Sequence, residues 1–146
     1  MGTVPYPSWV IRQDGIASNV FVLHFVKEWL NQLLWKKFHI VRSPKSYNSQ
    51  FGAALSILQI NNDNNLGIFE AGVSQPNEMD KLQEIIQPTI GVLTKIGTAH
   101  LENFKNEEEL IQEKLKLFYN VEKLVYNIDN ENVNLAIQQN NKLSSI

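Results

Sequence analysis

The chain has 146 residues, 13 basic and 15 acidic side chains, a formal charge of −2 and no cysteine. The length supports about one domain, and the near-balanced charge predicts neither a nucleic-acid footprint nor a polybasic membrane patch. The lack of cysteine excludes disulfides, thiolate metal sites and cysteine nucleophiles, and suits a reducing compartment. No apolar run approaches the roughly 18 to 20 residues that span a bilayer. The start also lacks the basic and apolar regions of a signal peptide. The expectation is a cytoplasmic protein with neither a membrane nor a nucleic-acid partner.

Residues 1–19 carry two prolines and two glycines without a clear period, and read as irregular, with a short strand possible at 9–12. From Val22 the apolar positions fall at 22, 25, 26, 29, 30, 33 and 34, the period of an amphipathic helix with Lys27, Glu28, Asn31 and Gln32 outside. His24 falls on the polar face and reads as a solvated histidine. Residues 38–41 (Phe-His-Ile-Val) predict a short strand, stopped by Pro44. A helix is expected over 51–58, and five polar residues at 61–65 form a turn cluster.

The chain is organised around residues 66–100. Two apolar runs, Leu66-Gly67-Ile68-Phe69 and Thr89-Ile90-Gly91-Val92-Leu93, enclose a segment of helical period whose inward stripe is Met79, Leu82, Ile85 and Ile86. Ser74 or Asn77 would cap that helix and Pro88 lies beyond its end. Apolar run, helix, apolar run is the pattern of a βαβ unit with buried parallel strands. Ligands of open α/β sheets gather beyond the carboxyl ends of the strands, where Glu70 and the loop reaching His100 would lie.

Asn106, followed by Glu107, Glu108 and Glu109, marks a helix start with an Asn cap and acids in the first turn. Over 107–119 the apolar residues Leu110, Ile111, Leu115, Leu117 and Phe118 surround Lys114, while Glu113 and Lys116 fall on the polar side. A lysine amid an apolar stripe either snorkels to water, the commoner outcome, or is buried as an amine able to act as a nucleophile or take up carbon dioxide as a carbamate. A strand at 124–126, a helix at 130–137 and a polar, fraying tail at 138–146 complete the chain.

Four ordered stretches are similar to the central, ATP-binding domain of the Mur ligase family. They are Ser43-Pro44-Lys45-Ser46-Tyr47-Asn48-Ser49-Gln50, Gly67-Ile68-Phe69-Glu70-Ala71-Gly72-Val73-Ser74-Gln75-Pro76, Ile96-Gly97-Thr98-Ala99-His100-Leu101-Glu102-Asn103-Phe104 and Glu113-Lys114-Leu115-Lys116-Leu117-Phe118. The likeness is greatest to the branch that adds D-alanyl-D-alanine to UDP-N-acetylmuramoyl-tripeptide in peptidoglycan synthesis, including the form fused to an alanine racemase. It implies a mostly parallel α/β sheet with flanking helices, resembling P-loop NTPases, with a partial central domain over 20–137.

The resemblance also implies that ATP and magnesium activate a carboxylate as an acyl phosphate, which an amine then displaces. Glu70, His100 and a carbamylated Lys114 would serve as catalytic and metal-associated groups, with Lys114 also a cofactor contact. Tyr47, Asn48, Ser49 and Ser74 would meet the UDP-N-acetylmuramoyl-peptide, and D-alanyl-D-alanine would be the second substrate. Such chemistry rests on positioned cations rather than on a protein nucleophile.

The family's glycine-rich phosphate loop, ending in Gly-Lys-Thr or Gly-Lys-Ser, is replaced by Ser18-Asn19-Val20-Phe21-Val22-Leu23-His24-Phe25-Val26-Lys27. Lys27, inside the predicted helix, is no substitute. Lys95 stands where the family has Asn, and Ala54 where Pro is common. These departures predict an incomplete domain, inactive in isolation and dependent on the missing ligase domains. The alternative is a non-catalytic remnant or binding module of the same fold that has lost ATP.

Overall fold

The computed structural model describes residues 8–12, 17–45, 47–97 and 100–144. In chain order its elements are β1 (Ser8–Arg12), α1 (Ala17–Leu34), β2 (Ile40–Arg42), α2 (Gln50–Ile57), β3 (Leu66–Ala71), α3 (Glu78–Ile86), β4 (Ile90–Leu93), α4 (Glu107–Leu115), β5 (Lys123–Tyr126) and α5 (Glu131–Gln139). Short 3-10 turns at Leu101–Asn103 and Lys116–Phe118 flank α4. The expectations for residues 1–7 and 13–16 lie outside the described residues.

The strands form one sheet in the order β2-β3-β1-β4-β5, with every neighbouring pair parallel. This is the α/β architecture expected of alternating strands and helices. β3 and β4 run parallel but are not neighbours. β1 lies between them, Val10 pairing with both Phe69 and Gly91. Periodicity identifies buried parallel strands but carries no record of their order.

Side chains alternate across β3 and so divide the interior in two. Phe69 and Ala71 join Val41, Met79, Leu82, Leu93, Leu110, Leu115 and Phe118 in the larger core, beneath the layer of α2 to α5. Leu66 and Ile68 face the other way, towards Val26, Leu30 and Leu34 of α1. Gly91 of β4 admits the larger core's Phe118 ring, since a Cβ there would lie 2.4 Å from the ring's Cδ1.

Helix α1 begins at Ala17, ahead of Val22, and is rolled relative to the expected arrangement. Val26, Leu30 and Leu34 pack on the sheet, whereas Phe25, Trp29 and Leu33 are exposed. A seven-residue apolar arc is wider than the contact a helix makes with one sheet. The roll takes the Phe25 edge out to solvent and brings Lys27, on the far side of Val26, under the sheet, where it is fully buried instead of outside.

The helix ends follow local chemistry. Ser49 caps α2, its hydroxyl accepting from Gly52 N–H at 3.1 Å. Asn106 caps α4 by accepting from Glu109 N–H at 2.8 Å, while Glu109 reaches back to Lys105 N–H rather than to the cap's own amide. In α3, Met79, Leu82 and Ile86 are buried but Ile85 is exposed. Neither Ser74 nor Asn77 caps α3 by its side chain: Asn77 holds the cap position without a side-chain bond, and Glu113 of α4 accepts from Met79 N–H at 3.0 Å. The tail expected to fray instead extends α5 to Gln139 and buries Leu143.

Candidate functional site

Glu70 is the second-last residue of β3, and the strand's alternation turns it towards α1. Its side chain is 0% exposed and its Oε2 lies 2.7 Å from Lys27 Nζ. The same ammonium donates to Ser43 O at 2.9 Å and to Lys45 O. Ser43 Oγ in turn accepts from Glu70 N–H at 3.1 Å, and Gly72 N–H donates to Asn48 O at 2.7 Å. The loop after β2 is thus laced to the end of β3. Lys45 adopts a left-handed φ of 50° within it.

The other oxygen, Glu70 Oε1, is buried and has no hydrogen-bond partner among the described residues. A buried carboxylate with one paired and one unpaired oxygen is an incomplete arrangement, since unpaired acceptors in low dielectric are costly. Around it, Glu28 lies 3.7 Å from Lys27 and pairs with Arg42. Charge alternates from Arg42 through Glu28 and Lys27 to Glu70.

Of the predicted substrate residues, Tyr47 is exposed, Asn48 contributes its carbonyl to Gly72, and the hydroxyl of Ser49 is engaged as the α2 cap. Ser74 belongs to a second cluster. Its N–H donates to Glu78 Oε2 at 2.6 Å, its hydroxyl lies 3.1 Å from the same oxygen, and its carbonyl accepts from Asn103 Nδ2 at 2.9 Å. His100 is exposed, with a left-handed φ of 61° at the turn leading to Asn103. Burial pushes the Glu78 carboxyl up, but bonds from Ser74 and Gln75 and the nearby His100 outweigh it and hold the group below its ordinary 4.5.

Lys114 is 1% exposed, so it does not snorkel. Glu113, expected on the polar side, is also buried, at 4%, because it caps α3 and pairs with Lys116 at 2.8 Å. Lys116 pairs with Asp80 as well, at 3.0 Å. Burial lowers the Lys116 amine, but Glu113 and Asp80 together raise it above 10.5.

The structure therefore joins Glu70 to the loop leading to Tyr47, Asn48 and Ser49, and joins Ser74 to the turn after His100. Glu70 bonds to Lys27 and Ser43. Among the described residues no three His, Asp or Glu side chains are grouped to hold a metal. Lys27, Glu78 and Glu113 are the residues that sequence reasoning missed. For Lys27 a signal existed: it adjoins Val26 at the edge of a wide apolar arc.

A five-stranded parallel sheet with helices on its faces defines an α/β domain. More particularly, the chain belongs to the Mur ligase middle domain family, which it matches over residues 22–145. It is 37% identical over 106 residues to the UDP-N-acetylmuramoyl-tripeptide–D-alanyl-D-alanine ligase of Borreliella burgdorferi, an alignment covering 72% of this chain and 23% of that protein. The ligase of the same name from Rickettsia prowazekii is 30% identical over 82% of this chain and 28% of its own length.

Among solved structures, the MurF ligase of Thermotoga maritima in complex with ADP superposes with a TM-score of 0.74 at 24% identity, over 89% of this chain and 30% of that one. MurF from Acinetobacter baumannii gives 0.73 at 18%, over 89% and 29%. These two establish the fold. The chain spans about a quarter of the length of the two curated relatives. No described helix is long and apolar enough to cross a membrane.

Proposed function

We propose that this chain is the core of the middle domain of an ATP-dependent carboxylate–amine ligase. The ligase would act in the cytoplasm on peptidoglycan precursors, joining D-alanyl-D-alanine to UDP-N-acetylmuramoyl-tripeptide, and the chain would work only within a longer polypeptide. The observation that supports this most is Glu70, buried at a strand end with Oε1 unpaired among the described residues. A carboxylate oxygen of this kind suits magnesium, a hard cation that takes oxygen ligands.

In this reading Glu70 and His100 would hold magnesium, and Lys114 would carry a carbamate. ATP, when bound, supplies the phosphoryl group that activates the substrate carboxylate. The chain's own residues would hold and orient: Glu70 the cation, from the end of β3, and Tyr47, Asn48, Ser49 and Ser74 the peptide, from their loops. An amine shielded from water, as Lys114 is, is the kind of group that carbon dioxide converts to an anion.

A second reading, a non-catalytic module that has lost ATP, is favoured by residues 18–27, which lack the glycine-rich loop. Titration calorimetry with magnesium-ATP separates the two. It compares the natural chain with one whose residues 18–25 are replaced by a glycine-rich phosphate loop. Binding by the repaired chain alone is the expected result. Two folded proteins that both fail to bind would mean that the site has decayed or needs the absent domains, and would favour the second reading.

A further inference from the structure

Lys27 holds a place that an inorganic cation would suit. Its ammonium is fully buried and is met by three oxygens from two segments: Glu70 Oε2 at 2.7 Å, Ser43 O at 2.9 Å and Lys45 O. An ammonium has three donors, so each has an acceptor and the group is saturated. One carboxylate and two carbonyls are also a hard-oxygen donor set of the kind divalent cations select. The cage closes on a positive charge, and the chain itself supplies that charge from α1.

We propose that the Lys27 ammonium is the resident cation of the Glu70 cage and keeps bare divalent metal off the carboxylate. This rests on the reading of Glu70 as a metal-associated group and adds a control to it. Only Oε1 is left for a metal. An ion there would share one buried carboxylate with the ammonium, and like charges at that separation repel strongly away from bulk water. Metal reaching Glu70 must then arrive with anionic ligands of its own, such as a polyphosphate. Glu28, 3.7 Å from the ammonium, is shared between Lys27 and Arg42 and so offsets little of an added cation's charge.

The test is Mn2+ binding without nucleotide, followed by loss of the free-ion electron paramagnetic resonance signal. It compares the full chain, Lys27→Met, and Lys27→Met combined with Glu70→Gln, with circular dichroism confirming the fold of each. Lys27→Met should bind Mn2+ at least about tenfold more tightly than the natural chain, and adding Glu70→Gln should abolish the gain. Equal binding by the natural chain and Lys27→Met, with Glu70→Gln weakening it, would overturn the resident-cation inference and leave Glu70 as a metal ligand. Failure of all three to bind, or binding indifferent to Glu70→Gln, would overturn both. Lys27→Gln, uncharged but still a donor to the two carbonyls, replaces the Met variant if that protein does not fold.

Discussion

The two faces of the sheet are unequal in thickness and in chemistry. The face beneath α2 to α5 carries a continuous core that includes Phe69, Met79, Leu82, Leu110, Leu115 and Phe118. Among the described side chains, the α1 face buries the apolar Leu66 and Ile68 completely, with partly buried neighbours such as Val26, Leu30 and Leu34. Yet the thin face holds the salt bridge between two fully buried groups, Lys27 and Glu70. Apolar packing dominates one side, and a charge network takes a large share of the other.

That contrast predicts the order of mutational effects. Lys27→Met should have the largest, about 3–5 kcal/mol of destabilisation, because it strands a buried carboxylate. Adding Glu70→Gln should recover part of the loss in urea unfolding, and strict additivity of the two changes would deny their coupling. Next, Leu82→Ala on the thick face should cost about 3–4 kcal/mol. Leu30→Ala on the thin face should cost about 1–2 kcal/mol, since its side chain is only partly buried. Equal costs would erase the distinction between the faces.

Lys114→Met replaces a buried amine by an apolar chain of similar shape, so it should lower the melting temperature less than Lys27→Met does. A large fall in melting temperature would instead mark Lys114 as a structural anchor. The smallest effect concerns acid. Glu78 is held below its ordinary 4.5 in the folded state, so its stabilising contribution is complete above that value and is lost as pH falls through the lowered folded value. Glu78→Gln should therefore flatten the urea midpoint below about pH 4.5, modestly, because the group is partly exposed.

Much of this was legible in the sequence. Continuous apolar runs locate β3 and β4, and the crowding of Leu110, Ile111 and Leu115 around Lys114 marks that residue as anomalous. Asn106 and the acids after it located the start of α4. What stayed hidden depends on tertiary placement. The roll of α1, which turns Lys27 inward, is set by how much of an over-wide apolar arc the sheet can cover. Glu113 looked like a surface acid because its partner, the amide of Met79, lies 34 residues away on another helix. The insertion of β1 between β3 and β4 leaves no trace in either strand's own pattern.

Glu113 has a mechanical consequence for its neighbour in sequence. Its carboxylate is pinned on one side to the first turn of α3 and on the other to Lys116, which is itself tied to Asp80 of α3. α4 is therefore indexed against α3 like a wheel held by a detent. It cannot roll without first pulling the pin, and Lys114, one position further along, inherits that fixed heading.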